Sequence, residues 1–151
     1  MSLTHDRQRQ FEDTLAQITL PANISIRPWT EEDFPAIQRL SSAEGWPTPE
    51  QRPDEALIAW RNSWPTLVAV EGESVVGFVR SFTDGEITLY VPELLVDAHY
   101  RGRGIGRLLL DTCHYLYPHT RIDILSTEAS LSFYESYGFR LIGAGVRKSY
   151  R

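Results

Sequence analysis

The part of this chain best suited to chemistry is a glycine-rich stretch that follows a short apolar run, Leu94–Val96. Residues 101–106 read Arg-Gly-Arg-Gly-Ile-Gly, and they open an apolar segment that predicts a helix over 104–116. Glycine reaches backbone angles that other residues adopt only at a cost, so several main-chain N–H groups can converge on one point. A helix N-terminus adds partial positive charge there. The pattern therefore predicts a pocket for phosphate oxygens and the use of a phosphorylated cofactor.

A second motif, Phe-Tyr-Glu-Ser-Tyr-Gly-Phe, occupies residues 133–139. Together with the glycine loop and its lead-in Val-Asp-Ala-His-Tyr at 96–100, it resembles the motifs of the GNAT superfamily of acyl-CoA-dependent N-acetyltransferases. The resemblance covers roughly residues 24–150. It implies an α/β (α+β) fold with a mixed, mostly antiparallel central sheet, a parallel splayed strand pair and flanking helices. It also implies acetyl-CoA as the cofactor.

Carried over position by position, the resemblance assigns a cofactor site. The main-chain N–H groups of the loop would hold the pyrophosphate of coenzyme A, while Leu94 and Val96 would pair with the pantetheine arm as an added strand. The N–H near Leu95 or Val96 would bind the oxyanion that forms during amine attack. Thr127 and Ser130 stand where the family often has Asn and Ala, and both can still form hydrogen bonds. The loop residues concerned are Arg101, Gly102, Arg103, Gly104, Ile105 and Gly106.

The same resemblance assigns the catalytic groups. Tyr134 matches the family's phenol that protonates the departing thiolate. The family often has a Glu where this chain has Pro92, and here Glu93 follows one residue later. A shift of one residue moves a strand side chain to the other face, so Glu93 would reach the site only through a β-bulge. The proton acceptor for the amine is therefore Glu93 or a water chain.

The acceptor site is expected in a loop over residues 44–53, which contains three prolines. Trp46 and Glu44 are its candidate substrate-binding residues, because an aromatic wall beside an acid suits a cationic or aromatic amine. The spacing of Trp60 and Trp64 favours core packing instead. The acceptor predicted here is a small-molecule or peptide amine, attacked in a ternary complex.

Composition and spacing exclude several other classes of function. A net charge of −5 argues against nucleic acid as a primary partner, which needs a basic face. No run of 18 apolar residues or signal-like apolar region is present, so we expect a cytoplasmic protein without membrane contact. Cys113 is the only cysteine, which excludes a disulfide framework and fits a buried helix position. His114 and His119 lack metal-ligand spacing, and no metal is expected.

A dinucleotide-binding domain and a non-catalytic module are two further interpretations. The loop glycines lack the Gly-x-Gly-x-x-Gly spacing directly after a strand, and Asp97–Arg101 intervenes, so the first is rejected. An acyl-CoA-binding sensor or interaction module remains the alternative to an enzyme. A homodimer is a possible assembly for either.

The remaining patterns predict the order of elements that position these motifs. Residues 1–22 are interpreted as an N-terminal helical extension, and 23–151 as an acetyltransferase domain. The strands 92–97 and 121–126 should be parallel neighbours joined by the helix between them. A helix is expected after a cap at Thr30 or Asp33, with Asp33 favoured by Pro35. Further helices are predicted at 5–19, 54–62 and 129–137, and strands at 24–27, 66–70, 75–82, 86–96 and within 139–150.

Overall fold

Five strands form one central sheet in a computed structural model that describes residues 3–150, with side chains from residue 5. The strands are β1 Ile24–Pro28, β2 Thr66–Glu71, β3 Ser74–Thr83, β4 Thr88–Val96 and β5 Arg121–Ile124, and they pair in chain order. Neighbours from β1 to β4 are antiparallel, whereas β4 and β5 are parallel. The predicted fold class, mixed and mostly antiparallel with one parallel pair, is confirmed.

Helices flank the sheet on both faces. They are α1 Leu3–Leu15, α2 Phe34–Ala43, α3 Thr48–Gln51, α4 Pro53–Arg61, α5 Ile105–Leu116 and α6 Glu128–Glu135. Short 3-10 turns at Glu31–Asp33 and Ala98–Tyr100 precede α2 and α5. Asp33 occupies the position before α2, as predicted, but its carboxylate makes no cap bond to that helix. It accepts hydrogen bonds from Arg27 and from the main-chain N–H of Thr30, in a capping box that begins at Thr30. The stretch predicted as a loop contains the single turn α3, and α1 ends at Leu15 rather than at residue 19.

Alternation along the strands gives the sheet a separate core on each face. On one face α1 and α5 pack over the strands, and Phe11, Leu109 and Cys113 are buried there. On the other face α2 and α4 cover the sheet, where Trp60 meets Phe78 in an edge-to-face pair with ring centroids 5.1 Å apart. Burial raises the pKa of the Cys113 thiol to about 12, against a smaller opposing hydrogen bond from Ser81.

A β-bulge interrupts β4 at the predicted position. Arg80 of β3 pairs with Glu93, but Phe82 pairs with Tyr90, so β4 holds one extra residue where Pro92 lies. Val91 faces the α5 side before the bulge, whereas Leu95 belongs to the α2 side after it. The extra residue therefore reverses which β4 side chains face each helix layer.

The strands β4 and β5 are paired at one end and separate at the other. Its pairing runs only from Thr88–Arg121 to Val91–Ile124, and β4 continues to Val96 without a β5 partner. The strands are parallel neighbours, as predicted, but they are paired before residue 92 and apart after it. The divergence begins at the same place as the bulge.

The predicted strands within residues 139–150 are absent, so this prediction was wrong. The segment has no regular structure, and Leu141, Ile142, Val146 and Tyr150 are between 68% and 95% exposed. The composition is strand-like, but a strand also needs a partner for its main-chain groups. Here no ladder forms with β5, and Gly143 and Gly145 weaken any local preference for an extended strand.

The N-terminal helix α1 packs against the sheet and α5 through Phe11. The division of the chain at residue 22 stays a prediction. Among the helices of residues 3–150, none has the length and apolar character needed to cross a bilayer.

Candidate active site

A cavity of about 710 Å³ lies where β4 and β5 diverge. The glycine loop and the start of α5 form one wall, and α6 forms another. The lining residues from the sheet are Val91, Pro92, Leu94, Leu95, Val96 and Ile124, and Leu125 lines it directly after β5. From the loops and helices, the lining residues are Glu44, Trp46, Tyr100, Arg101, Gly102, Gly104, Ile105, Gly106, Thr127, Ala129, Ser130, Phe133, Tyr134 and Tyr137.

The loop before α5 has the geometry of an anion cradle. Gly102 and Gly104 have φ of +78° and +81°, a region that side chains other than glycine rarely adopt. No heavy atom lies within 4 Å of where a Cβ would sit at either position, so the space beside them is open. The N–H groups from Gly102 to Gly106 donate to no acceptor among the described residues. These free donors at the start of α5 fit a diphosphate.

Close packing holds the start of α5 against α6. A Cβ at Gly106 would lie 3.1 Å from the Phe133 ring and 3.6 Å from the Val96 side chain. The distance to Val96 is an ordinary contact, but a side chain at this position would displace the Phe133 ring by a few tenths of an ångström. The second motif, through Phe133, thus sets the width of the cavity beside the glycine loop.

Tyr134 lines the cavity from α6. Its side chain is only 9% exposed and packs edge-to-face with Phe133 and Phe139, at centroid distances of 5.1 and 5.6 Å. Its hydroxyl has no hydrogen-bond partner among the described residues, and it is not sealed off from solvent. Burial raises the pKa of this phenol above its ordinary value, so Tyr134 keeps its proton at neutral pH.

Thr127 and Ser130 line the cavity at the start of α6 but already bond to each other. The Thr127 N–H donates to Ser130 Oγ at 3.1 Å, and the two hydroxyls are 3.0 Å apart. This reciprocal contact stabilises the helix start in the manner of a capping box. Any contact of these residues with a cofactor stays a prediction.

Glu93 lies outside the cavity lining. Its carboxylate accepts a hydrogen bond of 3.0 Å from Arg80 Nε, and Arg80 Nη1 donates to Ser63 Oγ at 3.2 Å. The bulge turns Glu93 onto the α2 and α4 face of the sheet, beside Pro92 and Leu94, which do line the cavity. Its assignment as proton acceptor stays a prediction.

Glu44 and Trp46 reach the mouth of the cavity from the loop after α2. Arg101 bonds to the Glu44 carboxylate and donates from Nε to the Val96 carbonyl at 3.1 Å. This ion pair joins the glycine loop to the loop predicted to hold the acceptor. The Trp46 ring is 37% exposed. Arg103 points elsewhere, over the Tyr100 ring, and is not part of the lining.

Several lining residues were not singled out from the sequence. Phe133 and Tyr137 belong to the second motif and lie one helical turn apart, which could have identified both as neighbours of Tyr134. Leu125 follows the carboxyl end of β5, the usual position for a ligand in a parallel strand pair. Among the described residues, no group of His, Cys, Asp and Glu side chains could hold a metal ion.

Comparison with known proteins places the chain in a wider group. Residues 62–141, more than half of the chain, match the family model described as an acetyltransferase (GNAT) domain. The structure is similar to a GNAT-family acetyltransferase from Streptococcus pneumoniae TIGR4, with a TM-score of 0.69, 22% identity, and coverage of 85% of this chain and 98% of that one.

Two further solved structures share the fold. An acetyltransferase from Trypanosoma brucei superposes with a TM-score of 0.66 at 24% identity, covering 83% of this chain and 99% of that one. An aminoglycoside acetyltransferase from an uncultured soil metagenomic sample, solved with trehalose, gives a TM-score of 0.65 at 20% identity and coverage of 88% and 99%.

Proposed function

This chain belongs to the GNAT acetyltransferase family, and from that premise we propose that it is an acetyl-CoA-dependent N-acetyltransferase. It transfers the acetyl group to a primary amine of a small molecule or peptide by direct attack in a ternary complex. The observation that carries this proposal is that one cavity contains the unpaired N–H groups of the glycine loop, the free part of β4 and the Tyr134 phenol.

The residues present fit coenzyme A. The N–H groups from Gly102 to Gly106 would hold its diphosphate, supported by the partial positive charge of α5. Beyond Val91, the main chain of β4 has no β5 partner, so Leu94 and Val96 can bond to the amides of a pantetheine arm. When bound, acetyl-CoA supplies the acetyl group as an activated thioester.

Transfer forms a bond from the amine nitrogen to the acetyl carbon and breaks the bond from that carbon to sulfur. The amine loses a proton, and the thiolate gains one. Tyr134 suits the second task, because burial keeps its phenol protonated and its hydroxyl has no competing partner. A main-chain N–H at Leu95 or Val96 would stabilise the negative charge on the oxygen.

Of the two reactants, the amine costs more free energy to bring into its reactive form. An alkyl ammonium has a pKa of about 10.4, so obtaining the free amine at pH 7 costs about 4 to 5 kcal/mol. Holding amine and thioester in contact can contribute roughly 7 to 11 kcal/mol, which more than offsets this. Glu93 or a water chain accepts the proton in this proposal.

A non-catalytic acyl-CoA sensor is the second candidate. It would use the same cofactor site and no proton acceptor. The pairing of Glu93 with Arg80, outside the cavity lining, favours it, whereas the position of Tyr134 inside the cavity favours the enzyme.

Thiol release from acetyl-CoA with a panel of amines separates the two candidates. We expect saturable, amine-dependent release of coenzyme A together with acetylated product by mass spectrometry. Calorimetric binding of acetyl-CoA without turnover on a broad panel would support the sensor. Absence of any binding at millimolar acetyl-CoA would contradict both.

A further inference from the structure

Part of the sheet face on the α2 and α4 side is left without a helix above it. These helices cover Phe78 and Leu95, and the next side chains along β3 on the same face are Arg80 and Phe82. Glu93 and Tyr90 stand opposite them on β4. The result is an open patch of one ion pair and two aromatic rings, which we term the Arg80 patch: Arg80, Phe82, Tyr90 and Glu93.

Neighbouring groups hold the guanidinium of Arg80 in place, but they do not accept hydrogen bonds from all of its nitrogen atoms. Nε donates to Glu93, Nη1 donates to Ser63, and the group lies 5.8 Å from the centre of the Phe82 ring. Nη2 donates to no described residue. Every fully buried side-chain nitrogen of the described residues has a hydrogen-bond partner, so Nη2 is not fully buried. Although the side chain is only 17% exposed, Nη2 therefore keeps some contact with solvent.

Glu93 has a matching free site. Arg80 bonds to Oε2, and Oε1 accepts no hydrogen bond from a described residue, while the side chain is 28% exposed. The pair thus presents a free cationic donor and a free anionic acceptor side by side. A ligand with one charge would match only one of these two groups. A ligand with both an anionic and a cationic group would match the pair.

The Arg80 patch adjoins the proposed reaction site. Glu93 lies between Pro92 and Leu94, which line the cavity, and Arg80 is one strand further away, at a strand spacing of about 4.8 Å. Phe82 is 41% exposed and its ring centre is 5.6 Å from that of Tyr90, so an apolar surface borders the charges.

We propose that the Arg80 patch binds the acceptor, and that the acceptor is an amino acid carrying both an amine and a free carboxylate. Arg80 binds the carboxylate, Glu93 binds the ammonium group before it is deprotonated, and the two rings contact the carbon skeleton. Arg80 is thereby a specificity-determining residue. This inference rests on the proposed N-acetyltransferase function and adds the class of its amine.

Matched acceptors with and without the carboxylate test the proposal, compared at equal concentrations of free amine because the amide also lowers the pKa of its amine. We would compare β-alanine with β-alaninamide, and phenylalanine with phenylalaninamide, by kcat/KM for coenzyme A release. Because the amide lacks the charge-assisted hydrogen bond to Arg80, we expect the acid to be preferred by about 10- to 100-fold in at least one pair. Most of the difference should appear in KM.

Variants of Arg80 then identify the residue responsible. Arg80→Met should bring the acid-to-amide ratio close to one. Arg80→Lys keeps the positive charge and serves as the test if the Met variant does not fold. It should retain only part of the preference, because Lys lacks the planar fork of hydrogen-bond donors. Arg121→Met is the matched control, since Arg121 is exposed on the same sheet face but bonds to Asp123 and not to Glu93, and its ratio should be unchanged.

The outcomes separate this inference from the function on which it rests. Acetylation of amides or simple amines without preference for a carboxylate would overturn the inference and leave the N-acetyltransferase function standing. A carboxylate preference that persists in Arg80→Met and Arg80→Lys would overturn the role of Arg80. Failure to acetylate any amine would overturn both proposals.

Discussion

The two sides of β4 differ sharply. Toward β3, β4 is paired from Leu89 to Val96, across a single bulge. Helices cover the side chains of the α5 face and, on the α2 face, those near Phe78 and Leu95. Toward β5, only four residue pairs form before the strands separate. One strand therefore serves as the anchor of the sheet on one side and as the wall of a cavity on the other.

The unequal pairing on the two sides of β4 explains how a rigid sheet can contain an open site. Ending one ladder early leaves main-chain groups free for a ligand, and the intact ladder on the opposite side keeps them in place. The bulge at Pro92 lies where the pairing of β4 with β5 ends while its pairing with β3 continues. Changes on the β3 side should therefore mainly reduce stability, and changes on the β5 side should mainly reduce binding or turnover.

The largest effect is expected from Phe78→Ala on the β3 side. Phe78 is fully buried against Trp60, so its loss should lower the free energy of unfolding by about 3 to 5 kcal/mol. Urea unfolding followed by tryptophan fluorescence would measure this. The matched control is Leu125→Ala on the β5 side, a half-exposed position that should cost less than about 1 kcal/mol. Equal losses would remove the contrast between the two sides.

Tyr134→Phe should lower kcat by about 100-fold and leave the fold intact, because it removes only the proton donor. Burial raises the pKa of the Tyr134 phenol, so the protonated form should persist as pH rises through 9, and wild-type activity should show no loss from this group in that range. Steady-state rates from pH 6 to 9 would check both points. Tyr115→Phe, at an exposed position on α5, should change neither. A wild-type rate in Tyr134→Phe would assign the proton to water instead.

Gly104→Ala should weaken coenzyme A binding by about tenfold. The φ of +81° disfavours any side chain by about 1 kcal/mol, and relaxing the loop would turn its N–H groups away from the diphosphate. Calorimetry would measure the dissociation constant. Gly143→Ala, in the irregular segment after α6 and away from the cavity, should bind coenzyme A as the wild type does. Unchanged binding in Gly104→Ala would show that the loop geometry is not needed.

The smallest effect is expected from Glu44→Gln. Arg101 is bonded to Glu44, and a diphosphate would compete for the same guanidinium, so removing the carboxylate charge should tighten coenzyme A binding. An exposed ion pair contributes about 0.2 to 1 kcal/mol, which corresponds to a gain of up to roughly fivefold. Glu50→Gln, on the neighbouring turn α3, is the control for a lost charge. Weaker binding in Glu44→Gln would mean that Glu44 orients Arg101 toward the cofactor.

Local patterns in the sequence were enough for much of the sheet. The hairpin of β2 and β3, the helix after the glycine loop and the bulge at Pro92 each follow from turn residues, periodicity or a missing N–H. The segment 139–150 was mispredicted because alternation and β-branched residues report a tendency, whereas a strand depends on a partner distant in sequence. The same limit applies to the exact extent of the β4–β5 pairing.

That the glycine loop and the Phe133–Phe139 motif line one cavity could be predicted from the sequence, because each motif is contiguous. The surroundings of this cavity, where we propose that the acceptor binds, could not, since they depend on pairings between residues apart in sequence. Arg80 and Glu93 are brought together by the register of two strands, and Arg101 meets Glu44 across 57 positions of sequence. Register after a bulge is decided by packing of the whole sheet and is not readable from one strand.

The buried thiol of Cys113 has a practical consequence for measuring motion at the site. This chain has a single cysteine, and its pKa of about 12 leaves almost no thiolate at neutral pH. A maleimide dye would therefore react only with a cysteine introduced on the surface. Thr48→Cys, an exposed position two residues after the cavity-lining Trp46, would give a singly labelled protein whose fluorescence reports movement of that segment as each reactant arrives.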